Sequence, residues 1–361
     1  MRFLLDDEQR DFARSLDGML AAADTPAAVR AWAAGDTAPG RAVWARLAEA
    51  GVFALTVPER HDGLGPRPVE LAVAFTELGR HAVPGPLVET VAAAALLDRL
   101  GALGDEPAAA AWLPGIASGK TAASLCLLPG AGSGAGPESG AGSGESPYAL
   151  DADSADAVFV IDGDTVCLTE AAGPVQPSAD PARRLSRPLG GTVLVHGPGV
   201  PAAAAHAAEV AALATAAQAL GLGRALLART VTYTRQRSQF GVAIGSFQAV
   251  RHRLADALIA LEFAEPLVYA AALALAADPE SSGAEIAAAK VSACEAAYAA
   301  ARTALQLHGA VGYTAELDLS LWIRKARALR GAWGTPAACR ARVLAPSQGV
   351  PLPAAWKGAA E

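Results

Sequence analysis

Residues 235–256 read R-Q-R-S-Q-F-G-V-A-I-G-S-F-Q-A-V-R-H-R-L-A-D. An alanine-rich helical pattern over residues 203–236 runs into this stretch and breaks at Phe240, Gly241 and Gly245. A second helical pattern covers 247–277 and a third covers 283–307. Each exceeds the ~11-residue average helix, and long helices with short links pack antiparallel, as in a four-helix bundle. Arg237, Gln239 and Gln248 cluster around the break. A solvated helix-hairpin corner would account for them as well as a binding site would. The stretch decides the architecture and leaves its chemistry open.

Before the bundle the hydrophobic period changes. A-A-S-L-C-L-L-P, D-A-V-F-V-I-D-G-D-T-V-C-L-T and G-T-V-L-V-H-G read as strands within 120–200, the second as a hairpin turning at 162–164. Between the first two lies a Gly/Ser-rich tract, 130–146, with no core-forming residues. It has neither GxGxxG nor GxxxxGK[ST] in register, and its GxSxG-like spacing lacks a strand–turn–helix setting. Residues 1–119 read as helices at 6–23, 43–50, 68–80 and 87–100, with V-P-E-R-H-D-G-L-G-P (57–66) as a loop. The expected fold is mainly α with a small β domain: an N-terminal helical domain (1–119), a β domain (120–200) and a C-terminal four-helix bundle (201–361).

Bulk composition narrows the function classes. The 361 residues are 52% hydrophobic, enough for large cores. A net charge of −7 and no basic block argue against nucleic acid as a partner. Cys126, Cys167, Cys294 and Cys339 show no CxxC spacing, which fits a reducing cytoplasm rather than zinc or a disulfide framework. The six histidines are dispersed and no Glu-x-x-His pair occurs, so no metal is expected. The charged N-terminus reads as no signal peptide, and the apolar-leaning run 210–223 falls short of a ~20-residue span. A soluble cytoplasmic protein is expected.

Two more helix-end turns carry polar or unusual residues: A-L-Q-L-H-G-A-V-G-Y (304–313) and R-G-A-W-G-T-P-A-A-C-R (330–340). With these the chain closely resembles the acyl-CoA dehydrogenase family. Arg237, Gln239, Phe240, Gly241, Ile244, Gly245, Phe247, Gln248 and His252 match R-x-Q-F-G-x-x-I-G-x-F-Q-x-x-x-H. Gln306, His308, Gly309, Gly312, Tyr313 and Thr314 match Q-x-H-G-x-x-G-[FY]-T. The L-x-x-E-Q-R-x-F, A-L-x-V-P-E-x-x-x-G-L-G and E-L-G-R-x-x-x-P-G-P-L stretches near the N-terminus are also family-like. The resemblance implies the same three-part fold and FAD-dependent α,β-dehydrogenation of acyl-CoA thioesters. It also implies an electron-transfer flavoprotein as acceptor. By this resemblance Arg237, Gln239, Phe240, Ile244, Gln248, Gln306 and Gly309 reach the FAD adenine and pyrophosphate of a neighbouring subunit, and Thr335 meets the cofactor. A guanidinium and free helix-end N–H groups suit a pyrophosphate.

The chain departs from the family where the reaction needs a base. A carboxylate must take the α-proton as hydride leaves the β-carbon. In many members it lies in a Y-E-G-T-like turn; here Ala332 and Trp333 precede Gly334 and Thr335. Other members place it on the first long bundle helix, at the position of Ala211. Glu209 is the nearest carboxylate, but two residues rotate a helix by roughly 200°. Leu127 and Leu128 replace the polar pair of the first flavin loop, and no W-[IV]-[ST]-like segment appears between 146 and 200. This pattern resembles the glutamate-lacking subunit of actinobacterial-type α2β2 acyl-CoA dehydrogenases. The expected partner is a homologous subunit supplying the base. The expected substrate is a bulky acyl-CoA, as in steroid or polyketide-type metabolism. Two alternatives stand: a self-sufficient homo-oligomer with an unrecognised base, and a non-redox scaffold that keeps the fold.

Overall fold

The computed structural model describes residues 4–128 and 147–345. The Gly/Ser-rich tract and residues 129–133 of the first flavin-loop match lie outside these.

Six helices come first: α1 (Asp7–Ala21), α2 (Thr25–Ala33), α3 (Ala38–Glu49), α4 (Pro68–Arg80), α5 (Leu87–Ala102) and α6 (Glu106–Ala117). A capping box starts α1: Asp6 accepts from the Gln9 backbone N–H at 2.8 Å, and the Gln9 side chain accepts from the Asp6 N–H at 3.1 Å. The short α2 and α6 were not resolved by the sequence pattern, and α6 carries an internal proline, Pro114.

Among the described residues the strands are, in chain order, β1 (Ala123–Leu127), β2 (Ala149–Leu150), β3 (Ala157–Asp162), β4 (Thr165–Leu168), β5 (Ala171–Ala172), β6 (Leu185–Ser186), β7 (Pro188–Leu189) and β8 (Thr192–His196), with β9 (Ser238–Gln239) and β10 (Val242–Ala243) later, between two long helices. The main sheet has the order β1-β3-β4-β8, with β1 parallel to β3 and the other pairs antiparallel. The hairpin read at 162–164 is present, with Asp162 opposite Thr165. Strand β1 is buried along its whole length and is fixed to α5. Thr90 Oγ donates to the Ala123 carbonyl at 2.8 Å and accepts from its N–H at 3.0 Å.

The long helices are α7 (Val200–Gln236), α8 (Gln248–Ala277) and α9 (Gly283–His308). The fourth place in the bundle is shared by two short helices, α10 (Leu319–Leu329) and α11 (Pro336–Leu344), because G-A-W-G-T-P interrupts the pattern. Glycine lets α4 and α7 approach closely. A Cβ on Gly79 would sit 1.9 Å from the Gln218 carbonyl oxygen, and one on Gly221 1.7 Å from that of Thr76. Tryptophan N–H groups tie the parts together: Trp44 donates to the Gly119 carbonyl and Trp322 to that of Arg80. One continuous apolar core runs from α1 through the sheet to α10.

By length and composition α7 and α8 could each cross a membrane, although runs of uncharged residues alone fell short of that measure. In α7 the apolar window is 89% buried within the protein, so it is a core helix; in α8 only 33% is buried.

Candidate active site

The turn between α7 and α8 is a two-residue hairpin. Strands β9 and β10 pair with Phe240 and Gly241 between them, at φ 55° and 80°. Positive φ at both central residues is the type I′ signature, in which Asn-Gly is favoured and a bulky side chain is strained. The Phe240 ring is nevertheless 92% exposed, touching the edge of Phe247 at a 6.2 Å centroid distance. Strain at an exposed aromatic is an observation that calls for a functional explanation.

Around it the structure gathers exposed donors. Arg237 ends α7, and its carbonyl accepts from the half-buried Ile244 N–H at 2.8 Å. Gln239 and Gln248 are exposed, and Gln248 opens α8, whose N-terminus has no side-chain cap. That leaves first-turn N–H groups available. Among the described residues none of Arg235, Arg237, Arg251 and Arg253 is in a salt bridge, so the corner attracts anions. The end of α9 is drawn to it: the His308 ring stacks on Tyr233 of α7 at 4.0 Å. This places exposed Gln306 and Gly309 at the same end of the bundle. Gly309 has φ 61°.

Thr335 stands elsewhere. It lines a cavity of about 360 Å³ between the sheet and the α10–α11 turn, with Leu125, Leu127, Tyr148, Arg183, Trp333 and Glu89 among its walls. None of the seven corner residues lines it. The eight candidates therefore form two groups, one outward-facing and one internal.

The internal turn is held by three polar struts. Thr335 caps α11, accepting from the Ala338 N–H at 3.3 Å. Buried Lys290 donates to the carbonyls of Leu329 and Gly334 at 3.1 and 3.2 Å. Trp333 takes a left-handed conformation, φ 52°, and its Nε1–H donates to Glu89 Oε1 at 3.1 Å. Glu89 is 2% exposed, and its Oε2 has no hydrogen-bond partner among the described residues. Sequence reading passed over Glu89. The available signal was one carboxylate inside an otherwise apolar helix face, L-V-E-T-V-A-A-A-A-L-L.

Behind Glu89 lies a buried charged group. Lys325 donates to the Val83 carbonyl at 3.3 Å and lies 3.9 Å from Asp180; burial lowers its ammonium pKa, with Asp180 opposing. Asp151, at φ 52°, accepts from Trp32 Nε1 at 2.9 Å. Burial pushes its carboxyl up to about 7, against the lowering effect of the Trp32 bond.

The two positions where the sequence leads one to expect a glutamate hold no carboxylate. Trp333 is a donor, and Ala211 is a fully buried core methyl. Glu209 pairs with Arg342 of α11 and does not line the cavity; burial raises its carboxyl and Arg342 opposes. Asp17, Glu77 and His81 bring ligand atoms within 4.8 Å of one another, but Arg80 Nε lies 2.9 Å from Glu77 and already supplies a cation.

Comparison with known proteins follows the same division. Residues 6–120 match the acyl-CoA dehydrogenase N-terminal domain model and 198–345 the C-terminal domain model. The acyl-CoA dehydrogenase IpdE2 of Mycobacterium tuberculosis is 32% identical over 324 residues, 88% of this chain and 91% of that one. FadE34 of the same organism is 32% identical over 313 residues, 85% of this chain but 42% of its own length. The ChsE4-ChsE5 complex of M. tuberculosis shares the fold at TM-score 0.80 and 24% identity, over 98% of this chain and 100% of that one. A glutaryl-coa dehydrogenase from M. smegmatis solved with FADH2 gives TM-score 0.76 at 18% identity, over 94% of each chain. The chain belongs to the acyl-CoA dehydrogenase family.

Proposed function

We propose that this chain is a subunit of an FAD-dependent acyl-CoA dehydrogenase that acts with a homologous partner. It would close the partner's FAD site and contribute no base of its own. Family membership places the chemistry in dehydrogenation of acyl-CoA thioesters. The observation that carries the rest is the division of the site: an exposed, cationic and strained corner beside an internal turn with tryptophan in the place of a proton acceptor.

The donor set at the corner fits the adenine and pyrophosphate half of FAD. Arg237 and the α8 N-terminus would hold the pyrophosphate, with Gln239, Gln248 and Gln306 donating beside it and Phe240 covering the adenine. Bound FAD would supply the hydride acceptor for α,β-dehydrogenation. The internal cavity does not fit the ring half in the same way, because Trp333 and Leu127 wall it. The proton acceptor must then come from the partner.

Two further observations support a partner. Leu258, Ile259, Phe263 and Leu267 form an apolar stripe on α8, with Phe263 73% exposed, more than a lone soluble helix should show. FadE34 is about twice this chain's length and matches it over less than half, as a fusion of two such units would. The ChsE4-ChsE5 structure, which shares this fold, is likewise of a complex. The acyl group would be bulky, the acceptor an electron-transfer flavoprotein, and the compartment the cytoplasm, in keeping with four cysteines that form no disulfide. The domain limits 1–119, 120–200 and 201–361 belong to the same proposal.

Co-expression with a homologous acyl-CoA dehydrogenase subunit that carries the glutamate tests this. Alone, the chain should purify without stoichiometric flavin absorbance. With its partner it should show the flavin spectrum, bleached by acyl-CoA. A lone chain that holds FAD one-to-one and oxidises acyl-CoAs would refute the reading.

A further inference from the structure

Glu89 lines the cavity and braces the α10–α11 turn. Its Oε1 accepts from Trp333 Nε1, and its Oε2 is buried without a hydrogen-bond partner among the described residues. One carboxyl oxygen is thus committed to the indole and the other is turned into the core. The bond serves Trp333, whose left-handed backbone, φ 52°, persists only where surrounding contacts fix it. Lys290 and the Thr335 cap hold the same turn from the other side. The indole is thereby set as a fixed wall facing Leu125, Leu127, Tyr148 and Leu150.

We propose that Trp333, latched to Glu89, is the residue that keeps this chain's own cavity from taking an isoalloxazine ring. The chain would then complete a partner's cofactor site without forming a second one. This rests on the two-subunit reading above and gives it a physical cause. An arrangement with a mobile side chain could open on contact with a flavin. A hydrogen-bonded indole on a left-handed turn cannot do so without breaking its bond to the buried Glu89 carboxyl, which would leave that group unpaired among the described residues.

The test uses the full-length chain alone and lumiflavin, which carries the ring system without ribityl phosphate or adenine and so makes no use of the Arg237 corner. Binding is read from quenching of lumiflavin fluorescence. Wild type should show no saturable quenching. Trp333→Gly, which removes the indole and suits positive φ, should bind at least about tenfold more tightly than wild type. Glu89→Leu, which releases the indole without shortening it, should give a smaller gain. Circular dichroism reports whether each variant is folded. Saturable one-to-one binding by wild type overturns the proposal, and that measurement needs no variant to fold. A folded Trp333→Gly chain that binds no better than wild type overturns it too. Neither result bears on whether the partnered complex holds FAD, so the two-subunit reading stands or falls separately.

Discussion

Replacing Phe240 with asparagine should move stability and cofactor affinity in opposite directions. An L-residue in the left-handed region costs about 1–2 kcal/mol, and asparagine carries little of that cost. Position 240 has φ 55° and is followed by Gly241 at 80°, so Asn-Gly is the pair a type I′ turn favours. The ring gives little in return within the chain: it is 92% exposed, with one edge contact to Phe247, worth about 0.5 kcal/mol. The difference stabilises the lone variant by roughly 0.5–1.5 kcal/mol. For a chain of this length 1 kcal/mol moves the melting point by only about 1 °C, so the urea midpoint is the better measure. Affinity should fall. Aromatic stacking on a base contributes about 1–3 kcal/mol, so FAD should dissociate from the partnered complex roughly 5- to 150-fold more readily. Fluorescence recovery of released FAD reads this directly. A variant that is less stable alone, or that leaves FAD affinity of the complex unchanged, would refute the assignment of Phe240.

Lys290→Met removes the donor to two buried carbonyls, Leu329 and Gly334. Leu329 keeps Cys294 Sγ as a weak donor at 3.6 Å, whereas Gly334 loses its donor; with about 1–3 kcal/mol for a buried group left unpaired, offset by no longer burying the amino group, urea unfolding should show a net loss of about 1 kcal/mol. No loss would mean that the α10–α11 turn is held by packing alone. Asp151, raised by burial from an ordinary 3.8 to about 7, makes stability pH-dependent. Between those values the folded chain keeps a proton that the unfolded chain has released, so stability falls as pH rises across that window and levels off above it. The gap corresponds to roughly 4 kcal/mol as an upper bound. Asp151→Asn keeps an oxygen for Trp32 Nε1 and should be more stable than wild type at pH 8 but little different near pH 4. Unfolding curves with the same pH slope for both chains would contradict this.

What the sequence showed clearly was local. The helix–hairpin–helix corner is written in twenty-two consecutive residues, and the 162–164 turn appears as Asp-Gly-Asp between alternating strands. The Gly79 and Gly221 contacts were not legible as such, because each depends on a carbonyl more than a hundred residues away along the chain. Glu89 was hidden for the same reason: 244 residues separate it from Trp333, and neither residue type alone suggests the other. The sequence marks the turn as lacking a base and says nothing of what Trp333 does there. The structure gives the indole a directed bond to a buried carboxylate. The left-handed backbone at Asp151, Phe240 and Trp333 was also invisible, since no glycine or asparagine flags it.

Phe240 and Trp333 make the case for a second subunit more strongly than either does alone. Both are large aromatics in a conformation that disfavours them, and both precede a glycine of positive φ. For Trp333 the compensation is visible inside the chain: a hydrogen bond to Glu89 and packing against the core. For Phe240 the chain offers only the edge of Phe247, and the ring stands in solvent. Strain of this kind persists where something over-determines it, and within the described residues nothing over-determines Phe240. On the proposed two-subunit reading, the missing contact is supplied from outside the chain. The four arginines that form no salt bridge among the described residues and the uncapped α8 N-terminus beside it describe that contact as anionic, and the exposed ring describes it as having a flat face. A nucleotide held from another subunit has both properties. A scaffold that never meets a cofactor would lose nothing by replacing Phe240 with asparagine, and would gain the stability that phenylalanine forgoes.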